Sequence, residues 1–174
     1  RHSDGSMAHI LIAYKQFPAP SVGHAGGESL FKLMASLHRR GHTLTLVSRI
    51  REEEHRHLRN VEALCERVVT VLHHRSRKEP RPIAVALSYL AFRRAVKRTL
   101  REAQPDFLHV ETTQTAAILL GINRPPSSYR TQDVNWYLQE QRLLRSRGPG
   151  WLMGLIRQRF FRRFEPRLCR RYHL

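Results

Sequence analysis

Short apolar runs alternate along the chain with longer stretches in which apolar residues recur every three or four positions. Runs that are almost continuously apolar are typical of strands buried on both faces, as in a parallel sheet covered by helices. The pattern predicts five strands: His9–Tyr14, Thr43–Ser48, Arg67–Leu72, Asp106–Val110 and Ser127–Thr131.

The stretches between these runs predict helices. Leu30, Leu33, Met34 and Leu37 fall on one helical stripe, and Gly41 follows as the residue that ends this helix. Pro166 lacks the N–H that a helix interior uses, so it is expected to kink or restart the last helix. The further predicted helices are Glu52–Cys65, Val85–Leu100, Thr112–Leu120, Asp133–Leu144 and Trp151–Tyr172.

Strands that alternate with helices indicate a mostly parallel sheet with right-handed crossovers. The sequence therefore predicts an α/β protein, a Rossmann-like three-layer sandwich with helices on both faces of the sheet. In open sheets of this kind, ligands bind beyond the carboxyl ends of the strands, where the strand order reverses. We expect the functional site at that edge.

The composition is that of one domain with a hydrophobic core, since the chain has 174 residues and 41% of them are hydrophobic. The two cysteines cannot form a disulfide framework, and no apolar run reaches the roughly 18 residues that cross a bilayer. Residues 1–6 precede Met7 and are typical of an expression vector, so the expected domain is 7–174. No secretory signal pattern follows Met7, and unpaired cysteines suit a cytoplasmic protein.

The loop after the first strand contains Gly23, Gly26 and Gly27, just before a predicted helix. Glycines let backbone N–H groups approach an anion closely, and the start of a helix favours a phosphate or a cluster of hydroxyls. The spacing matches neither G-x-G-x-x-G nor G-x-x-x-x-G-K-[ST]. The alternative is that these glycines only shape a turn and cap the helix.

Several short motifs follow one another in a fixed order. They are Gly26-Gly27-Glu28, a Leu-x-x-x-Gly-His closing formed by Leu37, Gly41 and His42, Pro105-Asp106 before a strand with His109 and Glu111, the segment Arg130–Asn135, and Phe164-Glu165 in an arginine-rich helix. With this order and spacing, the chain from Met7 to Leu174 resembles the amino-terminal domain of family 4 glycosyltransferases.

That resemblance implies a GT-B fold, in which two Rossmann-like domains face each other across a deep cleft. The amino-terminal domain holds a sugar or lipid acceptor, and the carboxyl-terminal domain holds the nucleotide-sugar donor. The chain stops where the family continues, so we expect an acceptor-binding half that needs its own carboxyl-terminal domain for turnover. The resemblance further implies retaining transfer of the sugar to an acceptor hydroxyl, without a metal or another cofactor.

The same resemblance implies that Gly26, Gly27, Glu111, Gln132 and Asp133 line the acceptor wall of the cleft. Relatives commonly carry a histidine where this chain has Gln132, and an amide can hydrogen-bond hydroxyls but cannot act as a base. Asp133 is the one catalytic candidate, although capping of the following helix is an alternative role. Glu111 could contact acceptor hydroxyls or neutralise nearby arginines.

The chain carries 31 Lys and Arg residues against 14 Asp and Glu, a net charge of +17. This charge attracts polyanions, so a basic, non-catalytic module that binds nucleic acid or an anionic membrane surface is the alternative function. The arginines are spread over several helices without a nucleic-acid motif, which argues against nucleic acid. Arginines interleaved with apolar residues in Tyr89–Leu100 and Trp151–Leu168 suit peripheral membrane contact, and a solvated basic face is the third interpretation.

A dinucleotide-dependent oxidoreductase is a further alternative from another functional class. It would need a G-x-G-x-x-G loop and an acidic residue at the end of the second strand. That strand instead ends at Ser48-Arg49, which argues against NAD and leaves a phosphorylated cofactor open.

Overall fold

A computed structural model describes residues 7–21, 23, 25–72, 81–131, 137, 140–141 and 150–172. These residues form a five-stranded sheet in which every strand is parallel to its neighbours. The strands are β1 (His9–Tyr14), β2 (Thr43–Ile50), β3 (Arg67–Leu72), β4 (Phe107–Glu111) and β5 (Ser127–Arg130). Their order across the sheet is β3-β2-β1-β4-β5.

Helices cover both faces of this sheet. They are α1 (Ala25–Arg39), a 3₁₀ helix (Glu52–His57), α2 (Leu58–Glu62), α3 (Arg81–Ala103), α4 (Thr113–Ile118) and α5 (Gly150–Arg171). On one face, Leu30 and Met34 of α1 and Val61 of α2 pack against the buried side chains of β1 and β2. On the other face, α3, α4 and α5 pack through residues such as Phe92 and Leu168. The predicted Rossmann-like three-layer sandwich is therefore confirmed.

The end of α1 follows from three residues that the sequence resemblance had singled out. Gly41 has φ +84, a left-handed conformation that glycine adopts without strain. It donates its N–H to the His38 carbonyl at 2.9 Å, and His42 donates to the Leu37 carbonyl at 3.2 Å. This pair of bonds is a Schellman motif, which satisfies the last carbonyls of the helix. The Leu-x-x-x-Gly-His pattern thus has a structural role.

Two helical predictions differ from the structure. The predicted helix Glu52–Cys65 is a 3₁₀ helix followed by the short α2, because this segment has few apolar residues to hold it on the sheet. Its start is fixed locally, since the Glu54 carboxylate accepts the Arg51 N–H at 2.7 Å. Helix α5 continues through Pro166, where a kink or restart was predicted. Pro166 and Arg162 are both exposed, so water can satisfy the Arg162 carbonyl that loses its donor.

Candidate functional site at the carboxyl edge of the sheet

The strand order reverses between β1 and β4, because the chain leaves β1 for β2 on one side and returns to β4 on the other. This switch point is where open α/β sheets bind ligands. Tyr14 at the end of β1 lies in register with Glu111 at the end of β4, and Ser48 of β2 lies beside Tyr14 on the opposite side. The candidate site is this carboxyl edge, together with the starts of α1 and α4.

Gly26 and Gly27 lie in the first turn of α1, whereas the sequence placed them just before the helix. Gly27 is buried and Gly26 is half-buried. The first-turn backbone N–H groups of an α-helix have no acceptor within the helix, and the helix dipole makes this end positive. Two of the predicted residues thus contribute backbone to the start of α1, at the carboxyl edge.

Glu111 is fully buried and holds the centre of a hydrogen-bonded group on β4 and β5. The Arg130 Nε–H lies 3.0 Å from each carboxylate oxygen of Glu111, and His109 Nε2 lies 3.1 Å from Oε2. His109 Nδ1 is 2.8 Å from the Ser128 hydroxyl. Because an ionised carboxylate can only accept, Nε2 of His109 carries the proton in this contact. The pairing with Arg130 is the neutralising role that the sequence left open for Glu111.

The register of the sheet explains this group. Glu111 lies opposite Arg130 and His109 lies opposite Ser128 in the parallel pairing of β4 with β5. Residues two apart in a strand share a face, so all four side chains stand on one face. Arg130 Nη2 is buried and has no hydrogen-bond partner among the residues that the structure describes. Both N–H groups of this nitrogen therefore lack an acceptor within the described part of the chain.

The turn from β4 into α4 is strained at Thr112, which has φ +75 and ψ 147. A β-branched residue rarely adopts this conformation, and such strain costs about 1–3 kcal/mol. Neighbours hold it in place, since its N–H donates to the Arg130 carbonyl at 2.8 Å and its carbonyl accepts the Ala116 N–H at 3.0 Å. Its hydroxyl lies 3.1 Å from that of Thr115. No glycine marks this position, so the strained turn was not predictable from the sequence.

Helix α5 is attached to the same turn by buried polar contacts. Thr113 donates its hydroxyl to the Glu165 carboxylate at 3.2 Å, and the Thr113 and Tyr129 hydroxyls lie 2.6 Å apart. Burial raises the pKa of Tyr129 above its ordinary value, and the Thr113 and Thr131 hydrogen bonds oppose this shift. Glu165, which the family resemblance named, therefore connects α5 to the edge of the site.

Two basic residues at this edge were not predicted. Arg49, near the end of β2, is only 9% exposed. It donates from Nε to the Lys15 carbonyl at 2.9 Å and from Nη1 to the Ser88 hydroxyl at 3.0 Å. Its guanidinium carbon lies 4.2 Å from the centre of the Tyr89 ring. The sequence did contain a signal for them, since Lys15 and Arg49 directly follow the first two predicted strands.

Burial shifts the pKa of both of these cations. Burial lowers the pKa of Lys15 first, and the neighbouring Arg49 charge lowers it further. Burial also lowers the pKa of Arg49, although contact with Tyr89 raises it in part. Like charges in a poorly solvated place raise the free energy of both ionised groups.

The remaining predicted site residues, Gln132 and Asp133, lie outside the described residues. Among the described residues, no group of three or more His, Cys, Asp or Glu side chains could hold a metal ion. No described helix is long and apolar enough to cross a membrane.

Two surface hollows lined by described residues lie elsewhere. One of about 500 Å³ lies beside Pro105 and Pro125, which precede β4 and β5. A second of about 440 Å³ lies beside His42 and Glu66, which precede β2 and β3. Both are at the amino edge of the sheet, opposite the candidate site. The candidate site is distinguished instead by its position at the switch point and by its charged side chains.

Known structures with a similar fold include two structures of the C-terminal domain of PF1911 hydrogenase from Pyrococcus furiosus. The first, of residues 78–226, is 9% identical, covers 70% of this chain and 90% of that chain, and has a TM-score of 0.55. The second, of residues 83–215, is also 9% identical, covers 71% and 91% respectively, and has a TM-score of 0.53. These two structures share the fold.

CalG4, the calicheamicin glycosyltransferase, is a third similar structure. It is 19% identical over 83% of this chain, with a TM-score of 0.46, and this chain spans 37% of CalG4. No family model and no curated protein sequence matches this chain.

Proposed function

We propose that this domain is the acceptor-binding half of a sugar transferase that uses a nucleotide-sugar donor. The supporting observation is the hydrogen-bonded group of His109, Glu111 and Arg130 at the switch point of a Rossmann-like sheet. These residues belong to the motifs through which the chain resembles family 4 glycosyltransferases. Sugars are recognised through many hydroxyls, and this edge offers both donors and acceptors for them.

In this proposal each group at the edge has a separate task. The buried Glu111 carboxylate orients the Arg130 guanidinium and the His109 ring. Arg130, which is partly exposed, presents N–H donors to an oxygen of the acceptor. The start of α1 with Gly26 and Gly27 faces the negative end of a bound donor. The domain contributes binding and orientation, and transfer of the sugar requires a facing donor-binding wall that excludes water.

The proposal is tested by saturation-transfer NMR on the 174-residue chain. The probes are UDP-glucose, GDP-mannose, and the free sugars glucose, mannose and N-acetylglucosamine. We expect saturation transfer to the ring protons of at least one sugar, and its loss in the Arg130→Gln variant. Arg98→Gln is the control, because Arg98 is exposed on α3 and pairs at 3.8 Å with exposed Glu102. Absence of transfer to every probe contradicts the proposal.

A second function, contact with an anionic membrane surface, is favoured by the outer face of α3. Ile83, Leu87 and Leu90 are each about half exposed there, at 52%, 52% and 49%. Arg94 and Arg98 follow on the next turns and are exposed too. Apolar side chains followed by cations are typical of a helix that lies at a membrane interface.

Vesicle sedimentation tests this second function. We expect the chain to bind vesicles that contain one-third phosphatidylglycerol, to leave pure phosphatidylcholine vesicles unbound, and to be released by salt. Leu87→Ser should weaken the binding, while Ala63→Ser, an exposed change just after α2, should leave it unchanged. Equal binding to both kinds of vesicle would contradict an electrostatic contact.

A further inference from the structure

Lys15 and Arg49 form a cationic pair at the carboxyl edge, and among the described residues Arg49 contacts only neutral groups. These groups are the Lys15 carbonyl, the Ser88 hydroxyl and the Tyr89 ring. No carboxylate of a described residue lies within 4.0 Å of a cationic nitrogen of either Lys15 or Arg49. Buried cations in proteins are ordinarily paired with an anion, because the loss of hydration is otherwise uncompensated.

We infer that Lys15 and Arg49 form a subsite for a phosphate group of a ligand that enters at the switch point. Lys15 follows β1 and Arg49 lies near the end of β2, so both belong to the edge where such sheets bind ligands. A guanidinium held by two hydrogen bonds is pre-oriented for phosphate oxygens, and an ammonium group adds a compact charge. This inference does not depend on the transfer of a sugar.

The electrostatics of the pair agrees with the lack of a counter-charge among the residues that the structure describes. The lowered pKa of Lys15 follows from burial and from the Arg49 charge, and Arg51 acts on Arg49 in the same direction. A bound phosphate would offset the repulsion between the two cations. A purely structural role for Arg49, which ties the end of β1 to α3, explains its own hydrogen bonds. It does not explain why a second, half-buried cation lies beside it.

The phosphate could belong to a soluble molecule or to a lipid headgroup, and the chemistry at the subsite is the same. The lipid source has one structural argument of its own. Ser88 and Tyr89, which contact Arg49, lie on α3 between the exposed side chains of Leu87 and Leu90. An acyl chain could thus cover apolar surface close to a phosphate held by Lys15 and Arg49. The test of this subsite therefore needs a soluble phosphate probe and a lipid phosphate probe.

Thermal unfolding of the 174-residue chain tests the subsite with pyrophosphate and UDP as soluble probes. At a probe concentration ten times the dissociation constant, a chain of this length should gain roughly 3–6 °C in Tm over chloride of equal ionic strength. In Lys15→Met the affinity should fall at least tenfold. In probe-free buffer the same variant should be at least as stable as the wild type, because a repulsion is removed. Lys32→Met, at an exposed position of α1, is the control for loss of one charge.

NMR of the chain after reductive ¹³C-methylation of its lysines measures the pKa of Lys15. A purely structural role of Lys15 and Arg49 would leave this pKa unchanged when a phosphate probe is added. The chain has four lysines, Lys15, Lys32, Lys78 and Lys97, so each resonance can be assigned by substitution. We expect the pKa of Lys15 to rise when pyrophosphate binds, and the resonance of Lys32 to titrate as before. A vesicle arm replaces pyrophosphate with phosphatidate in phosphatidylcholine vesicles.

Each outcome decides the inference. Binding of pyrophosphate or UDP that Lys15→Met weakens supports the subsite with a soluble source, and binding of phosphatidate alone with the same dependence supports it with a lipid source. A Tm gain that Lys15→Met and Lys32→Met reduce equally reflects only the net charge of the chain and overturns the inference. No gain with any probe overturns it as well. Neither result bears on the sugar-binding test, which depends on Arg130.

Discussion

Arg130 donates one N–H to both carboxylate oxygens of Glu111, at 3.0 Å each, from the neighbouring strand. Glu111 is completely buried, while the Arg130 side chain is 36% exposed. Loss of the ion pair therefore has different consequences for the hydration of the two side chains. Arg130 can regain water, whereas the site around Glu111 would be left with an unfilled cavity and unpaired donors.

Replacement of Glu111 by alanine should lower the free energy of unfolding by about 2–3 kcal/mol. Breaking a buried ion pair costs up to about 5 kcal/mol, and the partial exposure of Arg130 reduces that value. Urea denaturation measures the change. Glu53→Ala is the control, because Glu53 is 68% exposed and its contact with Arg51 is 3.8 Å. A Glu111→Ala variant as stable as the control would show that the pair contributes nothing.

The free energy of unfolding should be about 1 kcal/mol higher in Thr112→Gly than in Thr112→Ala. Both substitutions remove the hydroxyl, but only glycine adopts φ +75 without strain. In most helices and strands the alanine variant is the more stable of the two, since glycine loses more conformational entropy on folding. Unfolding of Thr112→Gly and Thr112→Ala in urea gives the comparison. The same pair of changes at Thr70, inside β3, should give the ordinary order.

Replacement of Gly41 by alanine should destabilise the chain by about 1 kcal/mol. The cause is its φ of +84, which an alanine adopts only with strain. A clash is not the cause, because an added Cβ would lie 3.6 Å from the nearest atoms of Met7, an ordinary contact distance. Shortening Met7 to alanine should therefore not rescue Gly41→Ala. A rescue in thermal unfolding would point to steric crowding instead.

Alkaline pH should destabilise the fold through Cys65. Burial raises the pKa of this thiol to about 12, from an ordinary value of 9.0. The unfolded chain then loses the proton first, so the free energy of unfolding falls as pH rises from about 9 to about 12. In Cys65→Ala this decline should be shallower in urea titrations at pH 8 and pH 10.5. Between pH 6 and pH 8 the thiol is protonated in both states, and the two proteins should show equal slopes.

Local patterns were sufficient to predict the sheet. The bounds of β1 and β3 agree with their predicted runs, because each is a short run rich in apolar and β-branched residues. Glu52–Cys65 was mispredicted because its helical character depends on contacts with the sheet that its few apolar residues cannot supply. Gly41 was predictable, since a left-handed position at a helix end selects glycine.

The candidate site was predictable only in part. Glu111 was placed at the carboxyl edge because it ends a strand, but its pairing with Arg130 depends on the register of β4 with β5. Arg49 and Ser88 are 39 positions apart in the sequence, so their contact depends on the tertiary structure and cannot be predicted from a local pattern. The strained backbone of Thr112 was not predictable either. Threonine rarely adopts a positive φ, and the hydrogen bond from its N–H to the Arg130 carbonyl depends on the tertiary structure.

The central position of β1 has a consequence for how the chain folds. β1 is the first of the five strands in the chain, yet Ile10 pairs with Phe107 and the His9 N–H donates to Asp106, 97 positions away. During synthesis on a ribosome, β1 could pair with β2 soon after both had left the exit tunnel. Its other edge would stay unpaired until β4, almost a hundred residues after β1, had been synthesised. Such distant pairing slows folding, and an exposed edge in the meantime is a place for chaperones to act.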